Sequence, residues 1–169
     1  PGLEHRIGGI EKADVTGTIS YDPDNHQRMT DLRDSKVKGI AATIPPLEVD
    51  DPTGDARVLV LGWGSTYGPI YAAARLARRH GLSVARAHLR HLNPFPSNLG
   101  EILRRYDRVI VPEMNLGQLA LLLRAAYLVD VRSHTAVRGL PFTAGELADV
   151  ITDAVLHLSA SSAPAEAHQ

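Results

Sequence analysis

The chain has 169 residues, which suits one globular domain with additional segments. Its formal net charge of −1 argues against an electrostatic nucleic-acid binder. The absence of cysteine excludes disulfides and cysteine-bound iron–sulfur clusters within the chain. The apolar runs are too short to span a bilayer and no signal-peptide pattern opens the sequence, so we expect a cytoplasmic protein without a membrane partner. The missing initiator methionine predicts a piece of a longer polypeptide.

The N-terminal third is predicted to be a lead-in segment rather than part of the main domain. Residues 1–22 are rich in glycine, aspartate and threonine, which predicts a loop with a short hairpin. Asp22 followed by Pro23 predicts the start of a surface helix that ends near Ile40. Residues 44–55 hold three of the eleven prolines and predict a linker or an extended strap, so the lead-in covers residues 1–56.

Strands and helices alternate from Arg57 onward, as expected of a domain that spans residues 57–158. The predicted strands cover residues 57–62, 82–88, 107–111, 128–132 and, as a short fifth strand, 134–138. Pro112 is predicted to end the third of them. The tail of residues 159–169 is rich in serine, alanine and proline and is predicted to be disordered.

Four helices are predicted between and after these strands. The first ends near His80, and the next three begin at the caps Ser97, Asn115 and Thr143. The second of these caps is expected to form a capping box with Gln118, and the third with Glu146. The predicted buried stripe of the helix after Asn115 consists of Leu116, Leu119, Ala120, Leu123 and Tyr127.

This alternation predicts an α/β fold with three layers, namely a mainly parallel open sheet with helices on both faces. Ligands and partners of such sheets meet the loops beyond the carboxyl ends of the strands. Those loops are residues 63–68, 89–96, 112–115 and 133–134.

The loop of residues 62–68 is a glycine-rich turn from a strand into a helix. Backbone N–H groups at the helix start, together with the hydroxyls of Ser65 and Thr66, could bind a carboxylate or a phosphate. The other interpretation is a tight turn and helix cap. The loop is neither a Walker A motif nor a dinucleotide fingerprint, because no lysine follows and the last glycine is one residue late.

The remaining polar candidates each have a structural alternative. His88 and His91 could be metal ligands, but zinc needs three or four, so a hydrogen-bonding or interface role is favoured and no metal is expected. Glu113 could be a general base, but a favourable charge near a helix N-terminus is favoured instead. The arginines at positions 75, 78 and 79 predict a solvated helix face. A nucleophile elbow is absent from the sequence, so hydrolase chemistry has no support.

Five segments together resemble the α subunits of 2-oxoacid:ferredoxin oxidoreductases. They are residues 2–5 (GLEH), 22–29 (DPDNHQRM), 62–68 (GWGSTYG), 88–96 (HLRHLNPFP) and 111–119 (VPEMNLGQL). The first, fourth and fifth resemble the 2-oxoglutarate branch more than the pyruvate branch.

The resemblance implies a transketolase-C-terminal-like domain that is inactive alone and binds no cofactor. The complex is then expected to use thiamine diphosphate, Mg²⁺ and a [4Fe–4S] cluster on other domains or subunits. Expected partners are a β subunit and a second α subunit, with ferredoxin and coenzyme A at the level of the complex. The reaction is oxidative decarboxylation of a 2-oxoacid to an acyl-CoA.

The resemblance also implies that no catalytic residue lies in this chain. It suggests interface or substrate-channel residues, which are Glu4, His5, Ser65, Thr66, Arg90, His91, Asn93, Glu113, Asn115 and Gln118. Of these, Glu4 and His5 would lie at the junction with a thiamine-binding domain. Two alternatives stay open: a free-standing anion- or nucleotide-binding module, and the same domain of a pyruvate or other 2-oxoacid enzyme.

Overall fold

The computed structural model describes residues 2, 4 and 8–161, without the side chains of residues 159–161. Two compact units are present: residues 1–44 with 93–95, and residues 45–92 with 96–169. Among the helices of the described residues, none is long and apolar enough to cross a membrane.

The first unit contains the predicted hairpin and the predicted surface helix. Strands β1 (Glu11–Lys12) and β2 (Ile19–Ser20) pair antiparallel, and helix α1 spans Pro23–Gly39. The side chain of Asp22 caps the helix by accepting from the Asp24 N–H at 3.0 Å. None of the residues of α1 is buried, in agreement with its many charges.

The second unit is built on a five-stranded sheet with the order β3-β5-β4-β6-β7. Its strands are β3 (Val49–Asp50), β4 (Val58–Trp63), β5 (Ala85–Leu89), β6 (Arg108–Glu113) and β7 (Val131–Thr135). All neighbouring strands are parallel except β3, which pairs antiparallel with β5. The predicted mainly parallel sheet is therefore confirmed.

Four helices cover this sheet: α2 (Tyr67–Arg79), α3 (Leu99–Arg104), α4 (Gln118–Tyr127) and α5 (Ala144–Ser161). Helices α2 and α5 form one core cluster with Val58 and Val60. Because side chains alternate along a strand, Leu59 and Leu61 face the other side, where leucines of α3 and α4 are also buried. Every strand position from Val58 to Leu61 is almost fully buried, as expected of a sheet covered on both faces.

Two predictions for the last strands are wrong. Pro112 does not end β6 but pairs in register with His134 of β7. The strand accommodates it because the pairing of β6 with β4 has already ended at Ile110. The two strands predicted over residues 128–138 are one strand, β7. Leu128 instead follows α4 in a left-handed conformation (φ 54°) and is 91% exposed.

Two of the three predicted helix caps are wrong in position. Helix α3 begins after Asn98, not Ser97, and the Asn98 side chain makes no capping hydrogen bond. It accepts from the Leu47 N–H (2.8 Å) and donates to the Leu47 carbonyl (3.0 Å). Helix α4 begins at Gln118 after Gly117, which has a φ of 93°. Leu116 is consequently 86% exposed and does not belong to the buried stripe.

Thr143 caps α5 as predicted, but the Glu146 side chain bonds to Arg138. The Thr143 hydroxyl accepts from the Glu146 N–H at 3.2 Å. The Glu146 carboxylate bonds to Arg138 at 2.7 and 2.9 Å. This ion pair links the loop before α5 to the first turn of the helix.

Candidate functional site

The turn after β4 is shaped by Gly62 and Thr66. A Cβ on Gly62 would lie 2.5 Å from Ile70 Cδ1 and 3.1 Å from His88 Nδ1, so a side chain there would force these two neighbouring side chains to move. The buried Thr66 hydroxyl donates to the Trp63 carbonyl (2.8 Å) and accepts from the Trp63 N–H (3.1 Å). Its one hydrogen is therefore engaged in the turn, which favours the tight-turn interpretation for Thr66.

Ser65 is the exposed hydroxyl of the same turn. Its oxygen lies 3.7 Å from the sulfur of Met114, in the loop after β6. The turn after β4 and the loop after β6 are therefore neighbours at the carboxyl edge of the sheet.

Glu113 is fully buried at the end of β6, and its carboxylate accepts hydrogen bonds from the first turn of α4. One carboxylate oxygen accepts from the Leu119 N–H at 2.8 Å, and the other accepts from the Ala120 N–H at 2.9 Å and faces the Ser133 hydroxyl at 3.4 Å. A carboxylate at this end of a helix satisfies unpaired N–H groups and the helix dipole. The structure thus supports the helix-terminus role over the general-base role.

Asn115 helps to form the same turn. Its side-chain oxygen accepts from the N–H groups of Gly117 (2.8 Å) and Gln118 (3.1 Å). Asn115 therefore contributes to the start of α4, although the helical backbone begins two residues later than predicted. Gln118 is exposed at the first helical position.

A groove of about 450 Å³ lies along β3 and the end of β5. It is lined by residues 45–50, Tyr67, residues 86–88, residues 90–91 and Pro96. The sequence had indicated Arg90 and His91 for this region. The other lining residues, including the whole strap of residues 45–50, were not predicted as a site.

Arg86 is the central side chain of the groove. Its Nε lies 2.7 Å from an Asp50 carboxylate oxygen, and its guanidinium lies 4.6 Å from the centre of the Tyr71 ring and 5.7 Å from that of Tyr67. The two tyrosine rings are stacked with 6.3 Å between their centres. The side chain therefore joins α2, β3 and β5 through charge and cation–π contacts.

The predicted solvated arginine face of α2 is wrong for Arg78. Its guanidinium contacts the Asp50 carboxylate at 3.1 Å and donates to the carbonyls of Asp50 and Val84, both at 2.8 Å. Arg75 lies 5.6 Å from the Tyr71 ring centre, and Arg79 is exposed. Only part of the basic run therefore faces solvent.

His88 lies between this groove and the turn after β4. Its ring meets the Tyr67 ring edge-on at 5.1 Å. Burial lowers the pKa of His88, and the positive charges of Arg90 and Arg86 lower it further. In the part of the chain that the structure describes, no group of three or more His, Cys, Asp or Glu side chains could hold a metal ion.

The predicted site residues fall into three places. Ser65, Glu113, Asn115 and Gln118 belong to the carboxyl-edge loops around β4 and β6, while Arg90 and His91 are exposed at the groove. Glu4 and Asn93 are exposed in the other unit, where the Glu4 carboxylate accepts from the Gly2 N–H at 2.6 Å. His5 lies outside the described residues.

Comparison with known proteins gives a consistent result. The family model of pyruvate:ferredoxin oxidoreductase core domain II matches residues 56–147, more than half of the chain. The chain is 61% identical over 155 residues to the 2-oxoglutarate oxidoreductase subunit KorA of Mycobacterium tuberculosis, covering 92% of this chain. It is 36% identical over 155 residues to the α subunit of 2-oxoacid:ferredoxin oxidoreductase 2 of Aeropyrum pernix, covering 89% of this chain. The chain spans only 23% of the length of each of these relatives.

Solved structures agree with this match. The 2-oxoglutarate:ferredoxin oxidoreductase from Magnetococcus marinus, solved with 2-oxoglutarate, coenzyme A and succinyl-CoA bound, superimposes with a TM-score of 0.78 and 29% identity. That match covers 85% of this chain and 26% of the other. A split-gene transketolase, described as an inactive β4 tetramer, superimposes with a TM-score of 0.50 and 18% identity. The match covers 67% of this chain and 43% of the transketolase chain, and it shows a shared fold only.

Proposed function

Because the chain belongs to the family of pyruvate:ferredoxin oxidoreductase core domain II, we propose that it forms this domain in the α subunit of a 2-oxoglutarate:ferredoxin oxidoreductase. The observation that carries the choice of substrate is the 61% identity to a 2-oxoglutarate oxidoreductase subunit over 92% of this chain. The complete enzyme would convert 2-oxoglutarate, coenzyme A and oxidised ferredoxin into succinyl-CoA, carbon dioxide and reduced ferredoxin. A pyruvate or other 2-oxoacid enzyme is the alternative.

Within such an enzyme, this chain would be a scaffold and interface domain without catalytic residues. The chain has no cysteine for an iron–sulfur cluster, and its described residues offer no cluster of metal ligands. Thiamine diphosphate, Mg²⁺ and a [4Fe–4S] cluster would therefore be held by other domains or subunits, where they supply decarboxylation and electron transfer. The β subunit and a second α subunit are the partners expected from this arrangement.

The carboxyl-edge loops are the surface proposed to meet the rest of the enzyme. Glu113 and Asn115 fix the backbone of the loop before α4, which keeps Gln118 and the neighbouring Ser65 at defined positions. Thr66 holds the turn that presents Ser65. Arg90 and His91 extend this surface. Glu4, His5 and Asn93 are further proposed contacts. Residues 57–158 are proposed as the domain itself, preceded by the lead-in of residues 1–56.

A chimera tests this proposal. The segment of the Mycobacterium tuberculosis KorA subunit that matches this chain would be replaced by this sequence and co-expressed with the remaining subunit. Because 61% of the matched residues are identical, we expect the chimera to retain 2-oxoglutarate- and coenzyme-A-dependent reduction of a viologen dye. The 169-residue chain alone should show no such activity.

A matched control uses the equivalent segment from the Aeropyrum pernix α subunit, which is only 36% identical to this chain. Equal activity of that chimera would show that assembly tolerates a more divergent copy of this domain. If the chimera with this chain assembles and converts pyruvate but not 2-oxoglutarate, the result would favour the alternative, a pyruvate enzyme. A chimera that assembles normally and is inactive with every 2-oxoacid would contradict the proposal.

A further inference from the structure

Helix α4 has an apolar outer face. Leu121 is 66% exposed and Leu122 is 53% exposed, and Leu128, directly after the helix, is exposed as well. Leu121 and Leu122 share one side of the helix with the exposed Ala125, because they lie four and three positions before it. Arg124 is the single charged residue of α4. Contiguous apolar surface of this kind is typical of a contact with another protein surface.

Strand β7 is an open margin of the sheet, and α4 packs against it. In the part of the chain that the structure describes, β7 pairs with β6 alone. The Ala136 N–H donates to the Glu113 carbonyl of β6 at 3.0 Å. Because backbone groups alternate in direction along a strand, those of Val131 and Ser133 point away from β6. Backbone groups directed outward at a sheet margin are a template for pairing with another strand.

The charges at the start of β7 are complementary to a second copy of the same strand. Asp130 and Arg132 are two positions apart, so they lie on one face of the sheet, and both are largely exposed. In an antiparallel pair with a two-fold axis at Val131, Asp130 of each copy would lie opposite Arg132 of the other. Opposite charges at directly facing positions stabilise an antiparallel pair.

The strand and the helix use different faces of the sheet. Arg132 pairs in register with Ile110, whose side chain belongs to the core formed with α2 and α5. The charged pairs would therefore form on that face, while the leucines of α4 would meet on the opposite face. Both sets of contacts are satisfied by one two-fold axis, the commonest symmetry of homo-oligomers.

We propose that two copies of this chain associate through β7 and α4. The two β7 strands pair antiparallel about Val131, and the outer faces of the two α4 helices pack beside them. The exposed fractions of the three leucines correspond to on the order of 400 Å² per copy, about half of the roughly 800 Å² that each partner of a stable interface buries. Ala125 and the exposed residues of β7 add to this area.

In the proposed enzyme this surface would join the two α subunits, and in that respect the inference rests on the proposed function. The association itself is a property of the chain and is measured without any other subunit. A monomeric chain with an active chimera would reject this interface and leave the proposed function standing. A dimeric chain with a chimera that assembles but is inactive would do the reverse.

Sedimentation velocity of the 169-residue chain measures the association, and we expect a dimer at about 100 µM. Leu122→Gln should raise the dimer Kd at least about tenfold, because each dimer loses two apolar contacts. Leu156→Gln is the matched control, since Leu156 is a leucine of α5 with a similar exposure of 55%, and it should leave the Kd unchanged. Circular dichroism checks that both variants stay folded.

Charge reversal tests the register of the strands. Asp130→Arg and Arg132→Asp should each raise the Kd at least about tenfold, because like charges then face each other. An equal mixture of these two variants should form a dimer with one copy of each, since every facing pair is again opposite in charge. A chain that carries both substitutions should dimerise like the original chain.

Three outcomes would overturn the proposal. The first is a chain that stays monomeric at about 100 µM. The second is an equal loss of association with Leu122→Gln and Leu156→Gln. The third is a mixture of the two charge variants that remains monomeric. Because all four positions are exposed, these substitutions alter the surface and leave the core intact.

Discussion

The carboxylate of Glu113 lies in the interior, 0% exposed, with both oxygens directed at backbone N–H groups of α4. Because Gly117 and Gln118 already bond to Asn115, the carboxylate serves the next two N–H groups of the helix start. One turn of helix therefore has its unpaired donors satisfied by two side chains. The loop that carries Asn115 and Met114 depends on this arrangement for its conformation.

Glu113→Gln should destabilise the protein by about 2 kcal/mol, because it removes a charge-assisted acceptor and sets an amide donor against a backbone donor. Urea unfolding followed by circular dichroism measures this loss. Glu101→Gln is the matched control, since Glu101 is exposed in the first turn of α3, and should change stability by less than about 0.5 kcal/mol. Equal effects of the two substitutions would contradict the capping role.

At the scale of elements, β3 is the feature that the sequence pattern did not reveal. It is two residues long, and its pairing with β5 is supported by Asp50, whose carboxylate contacts Arg78 of α2 and Arg86 of β5. Such contacts join residues that are 28 or more positions apart in sequence. Periodicity reports local structure only, so it could not show them.

Asp50→Asn should cost about 1–2 kcal/mol, because two partly buried guanidinium groups lose their shared carboxylate. The measurement is the urea midpoint, with hydrogen exchange of the β5 N–H groups opposite Val49 and Asp50 as a local readout. Asp130→Asn serves as the comparison, since Asp130 is 78% exposed and 3.9 Å from Arg132. A loss of stability that is the same in both variants would count against a structural role for the Asp50 pair.

The elements with strong local signals were predicted well, and the errors occur where the outcome depends on distant residues. Buried apolar runs gave β4 and β6, and Thr143 marked the start of α5. The sequence favoured Ser97 as the cap of α3, whereas the helix begins after Asn98, whose side chain bonds to Leu47, 51 positions away, instead of capping the helix. The groove was missed because Arg86 and Tyr67 become neighbours only when β5 packs beside α2.

At the scale of the whole molecule, several titrating groups have a lower pKa in the folded protein than in the unfolded chain. A hydrogen bond from Arg33 lowers the pKa of Glu11 from 4.5 to about 2, and a hydrogen bond from Arg138 lowers the pKa of Glu146. Hydrogen bonds from Thr53 and Ser83 lower the pKa of Asp55. Burial lowers the pKa of His88 below 6.5. In each case the unfolded chain binds protons more readily than the folded chain.

Stability should therefore fall as the pH is lowered, first below 6.5 through His88 and then between 4.5 and about 2 through Glu11. Urea midpoints at about pH 7, 5 and 3 measure this slope. Arg33→Gln should bring the pKa of Glu11 back toward 4.5 and flatten the acidic part of the curve. Lys36→Gln on the same helix should leave that part unchanged. A midpoint that rises on acidification would refute the assignment.

The two-residue strand β3 also has a consequence for the handling of this protein. It pairs with β5 only at Val49 and Asp50, and in doing so it occupies the hydrogen-bonding groups of β5 at one margin of the sheet. Uncovered sheet margins recruit strands from other molecules and promote aggregation. A shortened version that starts at Arg57, where the apolar pattern begins, would uncover β5 and should form insoluble multimers. A version that starts at Pro45 keeps the margin covered and should stay monodisperse.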